Sequence, residues 1–296
     1  MSTKNIKITT DCVCDLPKEF LKAADIDLIH FYISTSKGRF RDGSEISAVN
    51  VIEYLLNGGT KAISEAPTVE DYISFFSENI EKCDELIHIT ITSVLSCSYE
   101  NAVKATELMG DKGKNIYVID SKSLSTSIGI LVLKAIEMRK AGSTCQEICD
   151  AVNEMSPNIS TTFITVNTEY LYQNGVVSKT VNRICALLKA HPVLTLKDGQ
   201  VSVKNIRFGN YEKAFLRYIK SELKNKDEIN KKRAFITHVG CSLKELTTIK
   251  ECVANYCDFE EVIITNASAT ISCNCGPRAF GIIFTKYYES KGKEIV

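Results

Sequence analysis

Apolar and polar positions follow two rhythms along this chain. Strand-length apolar runs recur as IKITT (6–10), IDLIHFYIS (26–34), ELIHITIT (85–92) and NIYVID (115–120). They are bounded by Thr, Ser, Asp and Lys, and read as buried strands. Between them stand segments with helical spacing: AVNVIEYLLN, VEDYISFFSENIEKC, YENAVKATELMG, and residues 127–141 and 145–155. Start and stop signals agree with this division. Asp15-Leu16-Pro17 has the form of an N-cap acid with proline in the first turn, Ser47 is placed to cap the next helix, and Gly58-Gly59 and Gly110 are stops. RFRDGSEIS carries an Asp42-Gly43 turn between short extended pieces, a hairpin signal. Strands separated by helices predict a mainly parallel sheet flanked by helices.

Near MSPNIS the pattern breaks, and TTFITVN opens a second series. VLTLKDGQVSV reads as a hairpin around Asp198-Gly199, a helix runs from Tyr211 to Leu223, and AFITHVG, SLKELTTIKECVANY, EEVIITN and GPRAFGIIFTKYY follow. The chain therefore divides into a domain over 1–157 and another over 158–296, both α/β. The 296 residues are comfortable for two domains of that size.

Composition narrows the function. Lys plus Arg and Asp plus Glu both number 36, so net charge is zero and the footprint of a nucleic-acid binder is missing. No segment approaches the roughly 18 unbroken apolar residues of a membrane span. The N-terminus MSTKNIKITTDC lacks the apolar core of a signal peptide, which predicts a cytoplasmic protein without stable membrane insertion. The twelve cysteines form no paired C-x-x-C spacing with a nearby histidine, and in a reducing compartment they read as small core hydrophobes. No phosphate loop, dinucleotide fingerprint or metal-ligand spacing appears, so no cofactor is expected.

Three hydroxyl-rich turns fall at predicted strand ends: Thr9-Thr10-Asp11, Thr92 to Ser98, and Ser121 to Ser127. In a parallel sheet ligands gather beyond these ends, and helix N-termini there suit an anion. On local pattern alone Ser96 stands as helix cap, anion cradle or nucleophile. A nucleophile elbow needs small neighbours and a base in reach; Val94 and Ser98 occupy the glycine places, and His238, at a strand end, is the one attractive base. An acyl-transferase or hydrolase using Ser96 with His238 is one alternative, and a regulatory protein binding another small anion is a second.

Taken in order, the segments resemble the DegV family of bacterial fatty-acid-binding proteins, nearly end to end. ITTDCVCDLPKE resembles a strand followed by T-D-S-x-x-D-L-P, and FRDGSEIS resembles Y-R-D-G-x-x-I-S. SEAPTVEDY stands where the family has T-S-Q-P-S-P-x-x-F, and TSVLSCSYENA resembles S-S-G-L-S-G-T-Y-x-x-A. VIDSKSLSTSIG, HPVLTLKDGQVSVKNIR and CGPRAFG resemble the family's V-x-D-S, K-P-I-L…D-G and G-P-G-A-L-G segments. The resemblance implies a long-chain fatty acid, palmitate-like, with its carboxylate held by hydroxyls at the domain interface and its tail in an apolar tunnel. It implies no turnover by the chain itself, and in some members presentation of the acid to a separate fatty-acid kinase. By position, Ser96 and Ser64 would bind the carboxylate, with Ser93 and Asn274 in support. Val176 stands where the family commonly has arginine and Asn274 where many members have histidine, departures that weigh against the kinase role. Val94 and Cys97 replace loop glycines, and Arg278, in place of the second glycine of G-P-G, would return a positive charge near the carboxylate.

Overall fold

The computed structural model describes residues 4–166, 168–173, 175 and 177–287; Val176 lies outside them. The first half runs β1 (Ile6–Asp11), α1 (Lys18–Ala23), β2 (Asp27–Ile29), β3 (Tyr32–Thr35), β4 (Gly38–Arg41), α2 (Ala48–Leu56), β5 (Ile63–Glu65), α3 (Val69–Ile80), β6 (Glu85–Thr90), α4 (Ser98–Leu108), β7 (Ile116–Asp120), α5 (Thr126–Lys140) and α6 (Cys145–Met155). The second runs β8 (Ile159–Ile164), α7 (Glu169–Gln173), α8 (Lys179–Leu187), β9 (Ala190–Lys197), β10 (Gln200–Phe208), α9 (Tyr211–Glu222), β11 (Ile229–His238), α10 (Leu243–Tyr256), β12 (Val262–Asn266), α11 (Ala269–Cys275) and β13 (Phe280–Lys286).

The α/β class read from the alternation is what the chain forms. β2-β1-β6-β7 make a parallel sheet, and β1 and β6 are buried at every position, as strands covered on both faces must be. β10-β9-β8-β13-β11-β12 make a six-stranded sheet that is antiparallel except for β11–β12. β4-β3-β5 form a small antiparallel sheet. Helix starts follow local chemistry: Ser47 with Asn50, Thr68 with Asp71, Thr144 with Glu147 and Ser242 with Glu245 close reciprocal capping boxes.

Helix α5 joins the two large sheets. Its first seven residues are all buried, and its apolar side chains share one core with Ile8, Ile87 and Ile89 of the parallel sheet and with Phe235 and Ile283 of the six-stranded sheet. A helix apolar all round must be covered all round. Its N-terminal hydroxyls also cross the junction, Thr126 Oγ1 lying 2.7 Å from Thr237 Oγ1 and Ser127 Oγ 2.6 Å from Thr161 Oγ1.

Three local expectations change. The run 26–34 is two strands, β2 and β3, in different sheets; at the break Cys12 Sγ accepts the Phe31 N–H and His30 Nδ1 meets the Asp42 carbonyl. The tight turn of the β3–β4 hairpin falls at Ser36-Lys37, and Asp42-Gly43 forms a separate turn closed by an Asp42–Ile46 bridge. Asp15 is no helix cap: it sits at φ 51° and Pro17 holds the cap position of α1. Tertiary partners take the Asp15 carboxylate instead. All twelve cysteines are free thiols, six of them buried. Among the described residues no helix is long and apolar enough to cross a membrane.

Candidate functional site

The parallel strands β1, β6 and β7 end side by side, and the loop carrying Ser96 leaves from the middle one. Two aspartates at the neighbouring strand ends fix that loop. The Asp11 carboxylate accepts the Ile91 N–H at 2.8 Å and the Ser98 hydroxyl at 2.9 Å, so one buried group holds both ends of the loop. Asp120 takes the Ser93 amide at 3.1 Å and the Ser93 hydroxyl at 2.6 Å. On the far side Thr92 Oγ1 donates to the Gly199 carbonyl at 3.1 Å, docking the β9–β10 turn against the loop. Gly199 has φ +79°, and a Cβ there would meet Thr92 Oγ1 at 2.3 Å. This close approach requires glycine. So held, the half-buried Ser96 accepts the Ser98 N–H at 3.2 Å, which leaves its hydroxyl proton free to be donated.

Ser64 comes from β5, opposite Ile33. The Asn101 amide donates to the Pro67 carbonyl at 2.8 Å and lies 3.6 Å from Cys97 Sγ, which draws the chain after Ser64 against the start of α4. The third wall is α11, where Asn274 Nδ2 donates to the Thr270 carbonyl at 2.7 Å and to Ser64 Oγ at 3.2 Å. Carboxylates from the first half of the chain set this helix in place. Asp15 accepts the Ser268 N–H at 2.8 Å; Asp42 accepts the amides of Ala269 at 3.0 Å and Thr270 at 2.8 Å. The first free amides of α11 are thus answered by carboxyl oxygens. Burial pushes the Asp15 carboxyl up to about 7, opposed by donors from Ser125 and Ser268, and burial also raises Asp42. Burial likewise raises the Cys273 and Cys275 thiols to about 12, so both stay protonated at neutral pH.

These segments surround a cavity of about 510 Å3, within the roughly 300–1,000 Å3 usual for small-molecule sites. Ser64, Ser96 and Asn274 lie in its wall, with Phe31, Ile91, Leu124, Phe163, Phe280 and Ile283 among the apolar side chains. The wall draws on strands of the six-stranded sheet, on β5, on the loops that follow the parallel strands, and on α11. Among the described residues no charged side chain lines it. The arrangement offers neutral hydrogen-bond donors beside a large apolar surface.

Comparison with known families decides what the chain is. The family model described as "Uncharacterised protein, DegV family" matches residues 5–287. The chain belongs to the DegV family. A DegV domain-containing protein of Caldanaerobacter subterraneus subsp. tengcongensis is 29% identical over 284 residues, covering 95% of this chain and 99% of that protein. A DegV structure from Thermus thermophilus, described by its fatty-acid binding, superposes with TM-score 0.85 at 23% identity, over 96% of this chain and all of that one. One from Eubacterium eligens, loaded with heptadecanoic acid, gives 0.83 at 19% identity, over 95% of this chain and all of that one.

Of the five positions that the DegV motifs single out, the structure brings three to the cavity and leaves two outside its wall. Ser93 gives its amide and hydroxyl to Asp120 and supports the loop from behind. Arg278 donates from Nε at 2.8 Å and Nη2 at 2.6 Å to Glu245 and lies over the Tyr211 ring, so its charge does not reach the cavity. A glutamate 33 residues away answers the arginine that sequence placed near the carboxylate. His238 and Ser96 are not paired: His238 Nδ1 accepts the Cys241 N–H, and burial lowers its pKa. Sequence reasoning missed Thr270, Asp42 and Asp15 as parts of the site. Thr270 had a readable signal, one helical turn before Asn274 on the same face. Asp42 and Asp15 looked like turn and cap acids, and their partners lie more than 200 residues away.

Proposed function

We propose that this DegV-family chain, with domains at 1–157 and 158–296, binds one long-chain fatty acid without covalent chemistry and acts as its carrier. The carboxyl group is held against Ser64, Ser96 and Asn274, and the alkyl tail lies along the apolar wall. One observation carries the reading: Ser96 accepts the Ser98 N–H, which leaves its hydroxyl proton free, and Ser64, Ser96 and Asn274 line one cavity whose wall is largely apolar. The fatty acids named with the Thermus and Eubacterium proteins support it. Burial of a C16 tail contributes about 12 kcal/mol gross at roughly 0.8 kcal/mol per methylene. Lost translational freedom and ordering remove roughly 4–15 kcal/mol, so the head-group bonds matter to the net affinity.

Two measurements test the proposal. Organic extraction of the purified protein followed by mass spectrometry is expected to release a C14–C18 acid. Ser96→Ala is expected to weaken palmitate binding by about 1.5–3 kcal/mol, the worth of a hydrogen bond to a charged group. An unchanged dissociation constant with an acid-free extract would remove the assignment.

A further inference from the structure

The Asn274 side chain has no hydrogen left to give a ligand. Its Nδ2 donates to the Thr270 carbonyl at 2.7 Å and to Ser64 Oγ at 3.2 Å, which occupies both amide hydrogens. A backbone carbonyl only accepts, so the nitrogen end of the amide must face Thr270 and the oxygen end is turned away from it. Asn274 Oδ1 accepts from none of the described residues and stays accessible, on a half-buried residue that lines the cavity. Ser96 is its complement in the same wall. The serine hydroxyl accepts the Ser98 N–H at 3.2 Å and donates to none of the described residues. Asn101 draws the two segments together, bonding the Pro67 carbonyl at 2.8 Å on the Ser64 side and lying 3.6 Å from the thiol of Cys97, next to Ser96. The wall therefore presents one free donor and one free acceptor.

A carboxylate answers half of this pattern. It accepts from the Ser96 hydroxyl and has no hydrogen for Asn274 Oδ1. A primary carboxamide carries a carbonyl oxygen and an N–H side by side on one edge, so it can accept from Ser96 and donate to Asn274 at every pH. It is also neutral. Among the described residues no charged side chain lines the cavity, and an uncharged head group enters without the cost of desolvating an unpaired anion.

We propose that the cavity takes a second class of ligand, long-chain primary amides, with the head-group carbonyl accepting from Ser96 and the head-group nitrogen donating to Asn274 Oδ1. This goes beyond the fatty-acid reading and shares with it only the site of the tail.

The experiment partitions radiolabelled palmitamide, 2-heptadecanone and palmitate from cyclodextrin into the full-length protein at pH 8. The ketone has a methyl group where palmitamide has its nitrogen, so it keeps the carbonyl and the shape and loses the donor. Asn274→Leu is expected to weaken palmitamide by about fivefold or more while the ketone stays within about twofold. Ser96→Ala is expected to weaken both by a similar factor, because both carry the carbonyl. Palmitamide binding by the leucine variant within about twofold of the parent would overturn the proposal, as would equal losses of amide and ketone. If the leucine variant does not fold, Asn274→Ala puts the same question, with the ketone as the control for lost volume. A parent that binds palmitate and not palmitamide overturns this proposal and leaves the fatty-acid reading standing; a parent that binds palmitamide and not palmitate supports this proposal and overturns the fatty-acid reading; one that binds neither overturns both.

Discussion

Asp15 should make this fold lose stability as pH rises from about 4 to about 7. Its carboxyl is buried, and burial raises it to about 7, whereas an aspartate in the unfolded chain titrates near 3.9. Below about pH 4 both states hold the proton and the group costs nothing. Above that the unfolded chain gives up its proton while the folded one keeps it, so the stability associated with the neutral form is lost progressively until pH passes about 7. At about 1.36 kcal/mol per unit, the two units from pH 5 to 7 amount to about 3 kcal/mol. Asp15→Asn stays uncharged at every pH and keeps an oxygen for the Ser268 N–H, now 2.8 Å away. Urea unfolding at pH 5 and pH 8 reads the effect: the parent should lose about 3 kcal/mol more than Asp15→Asn over that interval. Parallel pH profiles would refute a buried, proton-holding Asp15.

Other expectations follow from the same geometry. Asn274→His places a titratable group 3.2 Å or so from the Ser64 hydroxyl; protonated below about pH 6.5, it should tighten palmitate binding by about tenfold between pH 8 and 6 relative to the parent, read by calorimetric titration. Gly199→Ala drives a Cβ to 2.3 Å from Thr92 Oγ1 at a positive φ and should destabilise the protein by about 1–3 kcal/mol in urea, with palmitate affinity falling as the Ser96 loop shifts; wild-type stability and affinity together would show that the turn is not tightly docked.

What sequence could reveal depended on how far away each partner lies. Ser47 and Thr68 cap helices through residues three positions on, so the pattern of four letters was sufficient. ELIHITIT is buried on both faces, and its apolar run said so. The run 26–34 misled because β2 and β3 are both apolar strands and neither Gly nor Pro marks the crossing between sheets. Arg278 and Ser93 were read as free for a ligand because Glu245 and Asp120, which engage them, lie 33 and 27 residues off. Ser64, Ser96 and Asn274 reached the cavity in spite of this, since ordered motifs carry position even where local chemistry leaves several roles open.

The aspartates explain why the cavity wall is uncharged. Asp11 and Asp120 fix the loop of Ser96, and Asp15 and Asp42 fix the helix of Thr270 and Asn274, mostly by accepting backbone amides. Each turns its carboxyl group toward the scaffold behind the wall and leaves hydroxyls and an amide in front. Arg39 and Arg278, cations on elements beside the site, are paired with Glu65 and Glu245. A carboxyl group entering this space therefore meets directed donors and no counter-ion. Such donors are worth more in a water-excluded site, yet they do not repay the full cost of desolvating an anion as a guanidinium can. Under the fatty-acid reading, discrimination rests on how many donors reach the head group at once, which makes the rigidity of the two aspartate-held segments decisive.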